Sequence, residues 1–271
     1  NVAALRARGV TVLEPASGRL TGADSGPGRM PEPDQIAAAA LAATAAQDMR
    51  HLRVVVTAGG TREYLDPVRF LGNRSSGKQG IALAARAAAR GARVTLIAAN
   101  VSEPLPAGID VVRVETGAQL RTAALAAAAD CDIVVMVAAV ADFAPDRQAP
   151  HKMKKSGDAG LTLSLLATPD ILAELSRGKR AGQVVVGFAA ETGDDQASVI
   201  EHGRAKLARK GCDALVVNDV RGDLAFGSDT NEVVILMPSG SVEVPRAAKA
   251  EVADAVWSAV VPLTVRVEGR N

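Results

Sequence analysis

Cysteine is scarce in this chain, with Cys131 and Cys212 the only two among 271 residues. Each falls beside an expected strand and neither stands at metal-ligand spacing, which excludes a disulfide-framed secreted scaffold and a zinc module. They read as buried free thiols, which suits a reducing compartment. Aromatic side chains make up only 2% of the sequence, so Val, Ile, Leu and Ala have to fill the core. Neither sign of charge dominates. A total of 31 Lys and Arg against 30 Asp and Glu leaves a net +1, too little for a global field that draws nucleic acid or an anionic membrane. Any charge that binds an anion must therefore be local. Long apolar runs are missing as well: Ile133 to Ala141 is too short to span a bilayer, and the first residues carry no charged segment ahead of an apolar one. The expectation is a cytoplasmic protein with no membrane or nucleic-acid partner. Hydrophobic residues, in contrast, reach 48%, enough to bury a sizeable core and to exclude disorder along the whole length.

Residues 1–33 carry a turn-rich run from Pro15 to Arg29, with too little periodicity for a core element of its own. Glu32-Pro33-Asp34 then opens an alanine-rich helix to about Asp48, with proline suited to the first turn and acid to the N-terminal dipole. From Leu52 the pattern becomes regular. Apolar strands are expected at Leu52–Thr57, Arg93–Ala98, Asp132–Ala138, Val184–Phe188 and Ala214–Asn218, and helices at Lys78–Arg90, Ala118–Ala129 and Asp195–Lys210. Strands apolar on both faces and separated by helices specify an α/β fold, Rossmann-like and three-layered, with a mainly parallel sheet. A late β-hairpin, Glu232–Met237 and Ser241–Val244 about Pro238-Ser-Gly240, leads to a closing helix at Ala247–Val260. Val140–Leu166 and Val220–Thr230 remain as inserts.

The first strand runs into Thr57-Ala-Gly-Gly-Thr-Arg-Glu-Tyr-Leu-Asp-Pro-Val-Arg-Phe-Leu-Gly-Asn-Arg-Ser-Ser-Gly-Lys-Gln-Gly80 before a helix begins. Glycines let backbone amides approach a phosphate, and the N-terminus of the next helix adds free N–H donors and partial positive charge. A tight strand-to-helix turn is the plain alternative, but a turn needs only a few residues. Gly72 to Lys78 also matches the first seven positions of a P-loop. Against that reading, Gly72 lies fifteen residues past Thr57, and Gln79 stands where a Ser or Thr hydroxyl would hold magnesium. The dinucleotide GxGxxG is missing, and the second strand ends Ile97-Ala-Ala-Asn100 with no acid for a ribose, which disfavours an NAD-dependent dehydrogenase.

After the third strand, Ala138-Ala-Val-Ala-Asp-Phe143 leads through Pro145 and Pro150 to His151-Lys-Met-Lys-Lys155. A lysine run is usually a solvated face. This one follows the carboxyl end of a central strand, where open α/β sheets place ligands, and a basic flap there can close over a polyphosphate. Thr168-Pro-Asp-Ile171 reads as N-cap, proline at the first helical position and acid in the first turn, a well-capped helix whose amides equally suit a nucleotide. Phe188 ends the fourth strand and serves either packing or stacking on a base. Lys206 and Lys210 lie one helical turn apart and repel each other unless an anion or polar base sits between them; a solvated face is the plainer reading.

In order, these segments resemble phosphopantothenoylcysteine synthetase, the ligase half of the bifunctional bacterial coenzyme A biosynthesis protein, from about Arg53 to Val260. The resemblance rests on Thr57–Glu63, Asp66-Pro-Val-Arg69, Asn73–Lys78, Ala138–Phe143, Lys152–Lys155, Thr168–Ile171, Phe188–Thr192, and Lys206 with Lys210. Upstream, the run from Pro15 to Met30 is similar to the tail of the flavin-dependent decarboxylase normally fused in front. Gly22 stands where that family usually has a cysteine, a departure from its pattern; FMN belongs only to the flavin-binding body of the decarboxylase, which this fragment is expected to lack, so no decarboxylase activity is expected of it. The resemblance implies residues 1–50 as linker and decarboxylase remnant, and 51–271 as the phosphopantothenate–cysteine ligase domain.

It further implies a two-step ligation of 4′-phosphopantothenate and cysteine with CTP, in which Mg2+ and lysines neutralise the triphosphate. Lys152 on the flap would contact that triphosphate. The backbone at Met136, Val137 and Ala138, with Asp142, Phe188, the helix start at Pro169, Asp170, Ile171 and Leu172, and Lys206 and Lys210, would hold the nucleotide. Asn73 would position the acyl-cytidylate for aminolysis, assisted by Arg69. The metal ligands are left unspecified. A homodimer is implied, with Val220–Thr230 and the late hairpin toward its interface. Preference for CTP over ATP follows from the resemblance alone. Two alternatives stand beside it. A short-chain-dehydrogenase-like oxidoreductase needs Tyr-x-x-x-Lys, whereas Tyr64, the one tyrosine, is followed by Val68. A nucleotide-sensing scaffold would bind CTP without turnover.

Overall fold

The computed structural model describes residues 1–22, 24–155, 160–191, 198–219 and 228–265. Helix α1 (Val2–Ala7), the hairpin of β1 (Ala16–Arg19) with β2 (Ser25–Arg29), and helix α2 (Pro33–Thr44) come first. Helix α1 buries no residue, in keeping with the turn-rich composition of this region. The main body follows as β3 (Arg53–Gly59), β4 (Arg62–Tyr64), β5 (Phe70–Gly72), α3 (Lys78–Ala89), β6 (Arg93–Ala99), β7 (Asp110–Val114), α4 (Gly117–Ala128) and β8 (Ile133–Met136). Its second half holds β9 (Phe143–Pro145), β10 (Leu165–Ala167), α5 (Ile171–Gly178), β11 (Val184–Glu191), α6 (Val199–Lys210), β12 (Ala214–Asp219), β13 (Thr230–Met237), β14 (Gly240–Ala248) and α7 (Lys249–Val265).

Successive strand residues point to opposite faces, and here both faces are apolar. Val54, Val56 and Ala58 of β3 pack with Leu83 and Ala87 of α3 and with Val256 and Trp257 of α7. Val55, between them, faces the other way and joins Leu120 of α4, Leu175 of α5 and Leu207 of α6. Two helical layers therefore enclose one sheet. Each fully buried Val, Leu or Ile stabilises this arrangement by about 1.5–3 kcal/mol. The lone tryptophan is fully buried and donates its indole N–H to the Leu83 carbonyl at 3.0 Å, fixing α7 against α3. Arg86 reinforces the contact through Asp254 at 2.9 Å.

The sheet has eight strands in the order β14-β13-β12-β11-β8-β3-β6-β7. From β12 to β7 all neighbours are parallel, while β13 and β14 add the antiparallel hairpin. The chain builds outward from β3 through β6 to β7, then crosses back to lay β8 on the other side of β3. That reversal opens a crevice at the carboxyl ends of β3 and β8, the position where such sheets bind ligands.

Several elements depart from the sequence reading. Strand β7 went unexpected because it is an edge strand, largely exposed, whose Asp110-Val-Val-Arg-Val114 offers no continuous apolar run. Helix α2 ends at Thr44 instead of near Asp48. Strand β8 stops at Met136 because the next two N–H groups leave the ladder for Thr57. Helix α6 begins at Val199, where Ser198 and Glu201 form a reciprocal capping box, and residues 192–197 of its expected start lie outside the described residues. Strand β14 continues to Ala248, which moves the start of the closing helix to Lys249. Among the described residues, no helix is long and apolar enough to cross a membrane.

Candidate active site

Glycine ends β3 for a steric reason. Gly59 has φ +88°, and a Cβ there would lie 1.9 Å from the Ala99 carbonyl oxygen, so the chain can turn out of the sheet only without a side chain. Just before it, the buried Thr57 hydroxyl accepts the N–H groups of Val137 and Ala138 at 3.0 Å each. Ala139 N–H donates to the Gly59 carbonyl at 2.8 Å, and Thr61 N–H to Ala139 at 3.1 Å. The ends of β3 and β8 are thus tied into one rigid floor. Helix α3 starts above it at Gly77; the Gly77 N–H donates to the Ser75 hydroxyl at 3.3 Å and the Lys78 N–H to the Ser76 hydroxyl at 3.5 Å, and the first turn from Gly77 to Gly80 lines the cleft. Gly80 lets the helix press onto the strand, since a Cβ there would come within 2.7 Å of Ala58 Cβ and Thr57 O. Ser75, Ser76, Lys78 and Gln79 line the cleft together with Phe188, Ala190, Asn218, Asn231 and Lys249.

The long stretch between β3 and α3 folds as the antiparallel β4–β5 hairpin, with Asp66 buried at its turn. The Asp66 carboxylate accepts N–H groups from Val68 at 2.7 Å, Arg69 at 2.8 Å and Met153 at 3.1 Å, and a guanidinium bond from Arg69 at 3.0 Å. Burial pushes this carboxyl up, but the three N–H donors and the Arg69 charge outweigh it and hold it below the ordinary aspartate value. Arg69 also donates to the Met153 carbonyl at 2.9 Å. Met153 sits among the flap lysines, so Asp66 and Arg69 together clamp the flap root. Asn73 donates to the Val140 carbonyl at 3.0 Å, fixing the segment that leaves the floor.

At the flap's other end, β10 pairs with β9, and Thr168 closes the loop by bonding Ala141 and Asp142. This corrects the expected helix start: Asp170, not Thr168, is the N-cap of α5, accepting Ala173 N–H at 3.1 Å, because the Thr168 hydroxyl is engaged by Ala141. Pro169 therefore precedes the helix. The second Asp170 oxygen pairs with the Lys210 ammonium at the end of α6. Burial raises the Asp170 carboxyl, while Lys210 and the Ala173 N–H lower it further, so its balance lies below the ordinary value. The Lys210 charge is answered by an acid on the neighbouring helix, an arrangement that spacing within α6 alone does not reveal.

A family model, the DNA/pantothenate metabolism flavoprotein C-terminal domain, matches residues 49–263. The chain belongs to this family. The coenzyme A biosynthesis bifunctional protein CoaBC of Mycolicibacterium smegmatis is 51% identical over 252 residues, covering 89% of this chain and 61% of the relative. The chain thus spans about three fifths of that relative's length. The CoaBC of Bacillus subtilis is 42% identical over 278 residues, covering 100% of this chain and 67% of the relative. A crystal structure of the C-terminal domain of CoaBC superposes with a TM-score of 0.67 at 31% identity, covering 83% of this chain and 100% of that one.

In this flavoprotein C-terminal domain, the positions nominated from sequence fall into three places. Val137, Ala138 and Phe188 line the cleft, with Met136 buried behind them. Asn73, Arg69 and Asp142 lie at the flap root, whereas Lys152 is exposed on the flap and does not line the cleft wall. Asp170, Ile171, Leu172, Lys206 and Lys210 belong to the α5–α6 corner. The amides of Val137 and Ala138 already serve Thr57, so what this edge offers a ligand is shape and carbonyl oxygen. Sequence reasoning missed Asn218, Asn231 and Lys249, which long-range pairing brings to the cleft with no local signal. Lys78 had one, the near-match to a P-loop. Among the described residues, no three His, Cys, Asp or Glu side chains gather as a metal site.

Proposed function

We propose that this chain is the phosphopantothenate–cysteine ligase part of a coenzyme A biosynthesis protein, using CTP to activate the carboxylate of 4′-phosphopantothenate. The observation that carries the reading is the cleft at the strand-order reversal, floored by Thr57 and Gly59, headed by the start of α3, and flanked by a basic flap, in a chain of this family. The name of the CoaBC relatives supports the pathway.

In the first step a carboxylate oxygen attacks the α-phosphorus, the bond to the β-phosphate breaks, and pyrophosphate leaves. In the second, the cysteine amine attacks the acyl carbon, a C–N bond forms, CMP departs and the amine loses a proton. The start of α3 offers N–H donors to developing negative charge, and Lys152 adds a cation from the flap. Phe188 gives a flat apolar surface for the base, and Asp142 and the α5–α6 corner bound the nucleotide. Asn73 orients the acyl-cytidylate beside the Val140 carbonyl. Residues 1–50 serve as linker and decarboxylase remnant, and 51–271 as the ligase domain.

The ligase works as a homodimer in the cytoplasm. Val68 and Phe70 on the β4–β5 hairpin and Phe143, Leu165 and Leu166 on β9 and β10 are exposed, and β4 packs beside β9, so one apolar face awaits a second copy. Of the insert expected at the interface, Val220–Thr230, residues 220–227 lie outside the described residues, and on the late hairpin Val242 is an exposed large apolar residue. The buried thiols suit a reducing compartment: burial pushes both Cys131 and Cys212 up to about 11. An oxidoreductase of the short-chain type finds no support, since the Tyr64 hydroxyl donates to Glu115 at 2.9 Å and lies outside the cleft lining.

The test is to incubate the chain with CTP, magnesium and 4′-phosphopantothenate and to follow pyrophosphate with and without cysteine. Cysteine-dependent formation of the amide is expected. Its absence, with a folded chain, rejects the ligase reading, and a parallel ATP titration decides the nucleotide.

A further inference from the structure

Two lysines outside the nominated set converge on one acid at the cleft. Lys78, the first residue of α3, places its ammonium 2.7 Å from the Asp229 carboxylate. Lys249, the first residue of α7, donates its ammonium to the carbonyls of Ser228 and of Thr230, the latter at 3.2 Å, and its backbone N–H to Asp229 O at 3.1 Å. Both lysines line the cleft. Gln79 holds the two helix starts together, donating to the Lys249 carbonyl at 3.2 Å and accepting from Asn231 at 3.3 Å. That role accounts for an amide at the position where a P-loop has a hydroxyl.

Two partly buried ammonium groups gather beside the start of α3; the carboxylate bonded to Lys78, that of Asp229, is 87% exposed, and Glu103 adds a weaker pull on Lys78. Burial first, and then the Lys78 charge, push the Lys249 ammonium below the ordinary lysine value, against the opposing pull of Asp229. An exposed carboxylate is a weak occupant for such a place. A polyphosphate, with several charges and many acceptor oxygens, is a better one.

We propose that Lys78 and Lys249 receive the pyrophosphate end of the nucleotide and that Asp229 is the internal anion it displaces. This rests on the ligase reading for the identity of the ligand, though not for the site itself. When pyrophosphate has been cleaved from the nucleotide, return of Asp229 to Lys78 competes with it and favours its departure.

Calorimetric titration of the full chain with inorganic pyrophosphate, in the absence of 4′-phosphopantothenate, tests this directly. Asp229→Asn is expected to bind about fivefold tighter than the unaltered chain at low salt, and Lys78→Gln and Lys249→Gln at least about tenfold weaker. Equal or weaker binding by Asp229→Asn overturns the displacement, and unaltered binding by Lys249→Gln overturns the site. Should Lys249→Gln fail to fold, the exposed Asp229 variant and Lys78→Gln still decide. A chain that does not ligate but shows the stated affinity order retains the site and loses the ligase reading. Ligation without that order does the reverse.

Discussion

The buried carboxylate of Asp66 accepts the backbone N–H of Met153 at 3.1 Å, joining residues 87 positions apart and pinning the root of the lysine-bearing flap. Because its hydrogen bonds hold Asp66 below the ordinary aspartate value, the clamp's contribution is fully present above that value and is lost only as pH falls through the lower, folded one. Protection of the Met153 amide, relative to the intrinsic exchange rate at each pH, should therefore hold from neutral pH down to the ordinary carboxylate range and fall below it. Asp66→Asn should raise Met153 exchange roughly tenfold at neutral pH while the exchange of β3 is unchanged. Equal acceleration across the sheet would mean that Asp66 supports the fold as a whole and not the flap.

Trp257 gives a second prediction. Its side chain fills the interval between α7 and α3, so Trp257→Ala should lower unfolding free energy by about 3–5 kcal/mol, read from urea denaturation. Trp257→Phe keeps most of the volume and loses the bond to the Leu83 carbonyl, with an expected cost of about 1–3 kcal/mol.

Two glycines separate a required backbone from a tolerant one. Gly59→Ala meets the Ala99 carbonyl in a left-handed conformation and should destabilise by about 2 kcal/mol or more, with loss of nucleotide binding. Gly178 ends α5 with open space where a Cβ would stand, so Gly178→Ala should stabilise by about 0.5 kcal/mol. Thermal melts of the two variants beside the unaltered chain provide the check.

How far the fold could be read in advance depended on burial. Strands such as Ile133–Met136, buried on both faces, announce themselves as apolar runs, and the alternation of these runs with alanine-rich helices gave the three layers. Edge strand β7 did not, because one residue of five is buried and the rest answer to solvent. At the site, Gly59 stood out at a strand end and Asn73 just past one, whereas Phe188, expected to end its strand, lies inside β11, which runs on to Glu191 because it pairs with β12 as far as Asp219. Lys249 and Asn231 carry no local signal: they reach the cleft only because β13 and β14 fold back antiparallel and hand the chain to α7. The Thr168-Pro-Asp triplet was misread for a related reason, since a hydroxyl that suits a cap was already bound to Ala141 from the flap.

The two steps of the proposed reaction can be separated at Lys152 and Asn73. Lys152→Gln removes a flap cation without touching the floor, and should reduce pyrophosphate release in the first step by about 100-fold or more, as loss of one stabilising group at a transferring phosphate does. Unchanged release would assign the flap lysine to solvent. Asn73→Asp replaces the donor to the Val140 carbonyl with an acceptor, so the hydrogen bond to that carbonyl is lost and a negative charge stands beside the proposed acyl-cytidylate. Activation should persist in part while aminolysis fails, and mass spectrometry of the quenched reaction should show the acyl-cytidylate accumulating. If both half-reactions fall together, Asn73 acts by holding the flap root through Val140, and the intermediate must be oriented from elsewhere.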